Sequence, residues 1–430
     1  MTYRREFQQI IFLASLMFFV LFTAQAQNWN PGDTLNISQG DSSRIDQFRD
    51  NMLVVTGQDL VDESFPNSIP LFGTKARIGF GGYVKLDYIQ DFDGGYDRFQ
   101  YEIQNVPVPG DGRPEQSGYM NLHARESRFN VDFRSITKTG MPLRIFFEID
   151  FYNLDRGPFN QTPRLRHAYG VLGRLLIGRT WGTQSDLYAV PSTIDFASGD
   201  ALTGTRRAQV RFEDDLTDKI NYAVALEMLE FPGIDGIDSL GQASQNLPLL
   251  AARLTKKTSS GGRLFFGTSI FQLRWDGKDV VPNSTAFGWG VSFSGREYFG
   301  KKKHFFRWMA SYGDGWGSQI VATLGTGASA SLSPEGKLAT MPAWNFGTGL
   351  GINISNTLVS NVNINWYGIE PSVYRTSNQM KSGESAHFNF IWSPYKKVNA
   401  GIEYMILSRT NTDNNNGIGT RLQLMIKYVL

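Results

Sequence analysis

Lys85, Arg128, Arg144, Arg166, Arg207 and Arg211 all fall on the polar phase of stretches whose alternate residues are apolar. A row of fixed cations breaks no bond; it attracts and sorts ions. The connection 182–205 supplies the opposite charge, with Asp186, Asp195 and Asp200 set among Tyr188, Pro191 and Phe196. Guanidiniums facing carboxylates across a gap would create a transverse field that orients polar solutes and favours anions. A second arrangement fits the same residues, in which each arginine pairs with Asp132, Glu148 or Asp150 on a neighbouring strand. The same phase also carries Arg253, Arg307, Arg421 and Lys427, against Asp87, Glu126, Glu227 and Glu403.

Other chemistry finds little support. His123, His167, His304 and His387 are scattered over separate segments, without the spacing of metal ligands, so no metal is expected. Gly79–Gly82 lies inside a strand pattern and not before a helix, so it is no phosphate cradle. The chain has no cysteine, which excludes disulfides, thiolate sites and a cysteine nucleophile. No cofactor is expected, and no serine–histidine or carboxylate pair stands out as catalytic. Its 42 Lys+Arg nearly cancel 40 Asp+Glu, against nucleic-acid binding by bulk charge. Lys301–Lys303 falls in a short turn and reads as a solvated cluster.

Three kinds of element must position these residues. At the N-terminus, Arg4 and Arg5 precede an apolar run from Ile10 to Phe22 and the small-x-small pattern Ala24-Gln25-Ala26. Residues 1–26 therefore read as a cleaved secretory signal peptide. Residues 27–73 are polar and turn-rich, a short periplasmic segment. From 74 to 430 the period is two. Leu143, Ile145, Phe147 and Ile149 oppose Arg144, Glu148 and Asp150; Leu422, Leu424, Ile426 and Tyr428 oppose Arg421, Gln423 and Lys427. Such alternation over about ten residues marks a membrane barrel strand, and about sixteen segments carry it. They are expected at 77–89, 121–133, 143–151, 164–172, 175–181, 206–212, 219–229, 249–254, 263–273, 286–293, 304–312, 344–354, 358–367, 382–392, 398–407 and 420–430. The phase of 263–273 is ambiguous.

Connections after odd segments run to roughly 12–31 residues and those after even ones to about 2–10, as an up-and-down barrel requires. Apolar phases end in Tyr88, Phe133, Trp344, Trp366, Trp392 and Tyr428, rings suited to a membrane-water girdle. The opposite phase carries Asn361, Asn363 and Asn365, glycines at 347, 349 and 351, and many charges. The fold class is all-β, a transmembrane antiparallel barrel of about 16 strands in a Gram-negative outer membrane, with a polar interior.

Gly81–Asp87 (GGYVKLD), Arg164–Gly170 (RLRHAYG), Leu176–Gly182 (LIGRTWG) and Asp186–Phe196 (DLYAVPSTIDF) resemble the DcaP-like outer-membrane porins, as do Phe65–Pro70 and Phe72-Gly73. The resemblance covers about residues 62–212. It implies a homotrimeric diffusion channel of sixteen strands for small hydrophilic solutes, with a preference for anions such as dicarboxylates, and it favours an inward-folded constriction at 182–205. Outer-membrane lipids and lipopolysaccharide would surround it. The chain departs from the family in lacking sustained heptads before the barrel and in ending on Leu430 instead of an aromatic. Two alternatives remain open: a barrel enzyme of lipase or protease type, and a structural or adhesion barrel with a blocked lumen.

Overall fold

A computed structural model describes residues 65, 68–71, 76–95, 99–112, 117–153, 161–196, 201–236 and 238–430. The expected signal peptide, and all of the 27–73 segment except Phe65 and Ser68–Leu71, lie outside the described residues.

Sixteen antiparallel strands close into one barrel. They are β1 (Ala76–Asp93), β2 (Met120–His123 and Arg128–Ile136), β3 (Pro142–Asp150), β4 (Arg164–Leu172), β5 (Leu175–Trp181), β6 (Arg206–Asp215), β7 (Ile220–Glu227) and β8 (Leu249–Lys257). Then follow β9 (Arg263–Asp276), β10 (Ser284–Phe299), β11 (His304–Asp314), β12 (Pro342–Asn353), β13 (Leu358–Ile369), β14 (Met380–Tyr395), β15 (Val398–Asn411) and β16 (Asn416–Val429). Each pairs with its neighbours in sequence, and β1 pairs with β16 from Tyr83↔Val429 to Asp93↔Thr420. Closure removes the free edges that would otherwise template aggregation or leave backbone groups unbonded in lipid.

Alternation sorts the side chains. Phe80, Ile145, Ile177, Leu226, Phe287 and Ile426 face outward and exposed, while Lys85, Glu148, Arg207, Asn363 and Glu403 point inward and are buried. Water does not reach the outward residues in a bilayer, so their exposure is to lipid. Trp344, Trp392 and Tyr428 are exposed on the same face, at strand ends, as a girdle requires.

Two departures from strict alternation have local causes. The second strand is broken at 124–127, where Ser127 N–H donates to the Ala124 carbonyl (3.1 Å) in a turn that lays the Arg125 guanidinium 3.9 Å over the Phe99 ring. In β4 the register slips between Glu148↔His167 and Ile149↔Leu165, leaving Arg166 as an extra residue. This β-bulge turns both Arg166 and His167 inward.

The ambiguous phase of β9 is now assigned. Phe265, Phe271, Leu273 and Trp275 are buried inward, whereas Phe266 and Ile270 face out. Both faces are apolar because the inner one packs against a folded-in connection, not against water.

Candidate functional site

Three long connections bond to side chains of the inward phase. The first of them is residues 182–205. At one end, Arg263 donates to Asp186 (2.7 Å), as does the Ser294 hydroxyl (2.6 Å). Farther on, Arg307 Nη1 donates to the Val190 carbonyl (2.6 Å), and Asn389 Nδ2 to the Ser192 carbonyl (2.7 Å). Glu403 accepts from the backbone N–H groups of Ile194 (2.8 Å) and Asp195 (3.1 Å). Lys85 donates to the Ile194 carbonyl (2.7 Å). The segment thus touches β9, β10, β11, β14, β15 and β1 in turn, so it reaches from one side of the wall to the other.

Glycines in the wall leave it room. A Cβ on Gly347 would lie 2.7 Å from the Ala201 Cβ and 2.6 Å from Asn365 Oδ1. Replacing Gly347 by valine is therefore expected to displace the segment and cost about 1–3 kcal/mol. The midpoint of urea unfolding in detergent, read by the gel shift of the folded barrel, measures it.

Residues 315–341 buttress the first segment from the long-loop side. Val321 N–H donates to the Leu202 carbonyl (2.9 Å), Gly204 N–H to the Gln319 carbonyl (2.6 Å), and Arg207 to Gln319 Oε1 (2.8 Å). Trp316 is fully buried beside Phe271, its indole N–H donating to Ser311 (2.9 Å). The third connection, 99–112, places Tyr101, Ile103 and Val106 in the same apolar cluster as Met405 and Leu407. Its Tyr101 N–H donates to Asp195 (3.1 Å).

The arginine side remains more open. Arg128, Arg164 and Arg166 stand around the Phe196 ring at 5.8, 5.3 and 5.6 Å from its centroid, and Tyr152 stacks on it at 4.0 Å. Arg166 bonds Glu148 (2.7 Å) and Asp150 (2.6 Å), and Arg164 is bidentate on Asp150. Arg128 has its nearest carboxylate, Glu126, only at 3.9 Å. The side chains of Arg128 and Arg164 keep 14% and 30% of their surface accessible, against 4% for Arg166. Arg206 lies 4.8 Å over Trp181 with no ion pair among the described residues.

The remaining residues singled out from the sequence are buried and partnered. Arg144 is bidentate on Asp132 (2.8 and 2.9 Å). Lys85 pairs with Asp87 (3.0 Å) and Glu126. Arg207 is 3.5 Å from Glu227, and Arg211 3.5 Å from Glu213. The pairing arrangement therefore holds for Arg144 and Arg166. The loop acids meet other cations than the row named above: Asp186 meets Arg263, and Asp195 lies 3.8 Å from Arg421. Asp200 lies outside the described residues. Sequence reasoning passed over Arg164 and Arg263, each the first residue of its strand, although Arg164 shares the phase of Arg166. It also passed over Trp316 and Gln319, for which the apolar run at 320–322 in a long connection was the available signal.

An all-β barrel of sixteen strands, apolar outside and charged within, with connections folded against the inner wall, has the fold of a porin-type outer-membrane channel. The DcaP outer membrane protein family model matches residues 57–253, a little under half of the chain. Among solved structures, the outer membrane channel DcaP of Acinetobacter baumannii is similar in fold at a TM-score of 0.71 and 21% identity, over 83% of this chain and 98% of that one. Salmonella typhi OmpF (TM-score 0.53, 8% identity, 84% and 100% covered) and an anion-selective porin from Comamonas acidovorans (0.51, 9%, 83% and 100%) share the fold. No curated protein matches the chain in sequence.

Proposed function

We propose that the protein is a passive diffusion channel for small hydrophilic solutes with a preference for anions, carboxylates among them, and that residues 182–205 form its constriction. The observation that carries this is the set of guanidiniums around Phe196. Arg128, Arg164 and Arg166 share Glu148, Asp150 and a distant Glu126, and Glu126 is already held by Lys85. Arg128 and Arg164 stay partly accessible whereas Glu148 and Asp150 are fully buried, so the charge turned toward the lumen is positive, which lowers the barrier for anions. No catalytic step is assigned to any residue. A homotrimer is also proposed: β3 to β7 are 7–10 residues long against 11–16 for β9 to β16, a low wall suited to packing against a second copy.

The burial of so much of the inner wall favours one alternative, a structural barrel whose lumen is blocked. Purified protein in planar bilayers separates the two. Stepwise, ohmic conductance is expected; its absence would support the blocked barrel. Under a KCl gradient the reversal potential should have the anion sign. Arg128→Glu with Arg164→Glu should reverse it or bring it near zero, while Arg144→Gln, far less accessible, should leave it almost unchanged. Equal responses from both variants would remove the role given to the Phe196 cluster.

A further inference from the structure

The barrel wall has a break on its lipid-facing side. Ladder pairs between β8 and β9 stop at Leu250↔Ile270, and the short strand Gln242–Ser244 takes up the pairing only at Ser244↔Arg274. Between them the chain loops out through Leu247 and Pro248, held by Gln245, which donates to the Leu247 carbonyl (2.8 Å). Residues 271–273 thus have no ladder partner on that side. The gap forms a groove of about 470 Å³ whose walls include Leu247, Leu250, Ile270 and Phe287, all exposed on the outward phase.

Two polar groups do not belong in such a place. The Gln272 carboxamide oxygen is buried within the groove and has no hydrogen-bond partner. An unsatisfied amide in an apolar, lipid-facing setting is costly, and a hydroxyl, which both donates and accepts, satisfies either orientation of it. One step farther toward the long-loop end on the same face stands Arg274, which has no ion pair or side-chain hydrogen bond among the described residues. The level is that of the girdle: Ile270 pairs with Trp289, which lies 6.3 Å from Tyr312, and Gln272 pairs with Phe287 one step above. From the membrane outward the order is apolar groove, hydrogen-bonding group, cation.

We propose that this groove is a binding site for one acyl chain of a phosphorylated, hydroxyacylated glycolipid of the outer leaflet, lipid A being the form that such lipids take in a Gram-negative outer membrane. The chain lies against Leu250, Ile270 and Phe287, its 3-hydroxyl bonds Gln272, and a glucosamine phosphate meets Arg274. A phospholipid with plain acyl chains offers the apolar part and a phosphate but no hydroxyl at that depth. The site depends on the outer-membrane location of the barrel and not on what passes through its lumen.

Native mass spectrometry of the full-length protein in detergent, titrated with lipid A or with phosphatidylethanolamine, tests this. Lipid A should be retained preferentially. Gln272→Leu should lower its retention about five- to tenfold, the worth of one buried hydrogen bond, and leave phosphatidylethanolamine unaffected. Arg274→Gln should weaken both lipids, and Leu250→Trp, which fills the groove, should abolish preferential retention while the gel shift of the folded barrel persists. Equal retention of the two lipids by the native protein would overturn the proposal. So would a loss confined to Arg274→Gln, since that describes a surface phosphate contact without a seated chain.

Discussion

Replacing residues 187–201 with a short glycine-serine linker is expected to raise single-channel conductance about two- to threefold, because the proposed constriction would no longer narrow the path that ions share. The segment is fastened at many points, yet its removal need not unfold the barrel. Arg307, Asn389 and Glu403, which now bond its backbone, face the lumen and would exchange those partners for water. A buried charge left unpaired costs several kcal/mol, but one left in water does not. Asp186 would keep Arg263 and Ser294, and Gly204 would keep the Gln319 carbonyl, so both ends of the linker remain anchored. Planar-bilayer recording against the native protein measures the change. Unchanged conductance, with the folded gel shift intact, would mean that 182–205 is not the narrowest point and that the buttress at 315–341 sets the limit.

The barrel itself was legible because lipid imposes its rule on every strand separately. A residue facing hydrocarbon must be apolar whatever lies across the lumen, so the period of two survives in each stretch and the sixteen strands fall where the alternation places them. The inner face obeys no such local rule. Asn361, Asn363 and Asn365 beside Gly347, Gly349 and Gly351 read as a wet wall. In the structure they are ladder partners, Gly347↔Asn365, Gly349↔Asn363 and Gly351↔Asn361, and all three asparagines are buried. A Cβ on Gly349 would lie 2.3 Å from the Asn363 amide oxygen, so these glycines make room for side chains.

What fills the lumen depends on contacts between residues far apart in the chain. Glu403 bonds residues 194 and 195, and Arg409 donates to the carbonyls of Gln104 (3.0 Å) and Val106 (3.1 Å). Neither partner can be inferred from its own neighbourhood. The apolar inner face of β9, with Phe265, Phe271, Leu273 and Trp275, was the one local sign that something other than water lay against it. The same ambiguity that obscured its phase was the trace of the 315–341 segment packed upon it.

Exchanging Arg421 for methionine is expected to cost about 3–5 kcal/mol of stability, the penalty for leaving a buried charge without its partner. Arg421 is wholly buried and bidentate on Asp91 at 2.5 and 2.9 Å, and its guanidinium lies 4.4 Å over the Tyr101 ring. Its third nitrogen is 3.8 Å from Asp195. One side chain therefore joins β1, β16, the 99–112 connection and the 182–205 segment. Asp91 and Asp195 are each buried to about the same degree as the arginine, so neither finds water when it goes. The urea midpoint followed by the gel shift of the folded barrel gives the cost. Pairing the change with Asp91→Leu should recover part of it, because the more tightly held carboxylate is removed along with its cation. If the double variant were no more stable than Arg421→Met alone, the loss would come from packing against Tyr101 and not from the ion pair. Asp195 would still lack its cation in both variants. Both should then also show noisier conductance than the native channel, since the segment that carries Asp195 is the one proposed as the constriction.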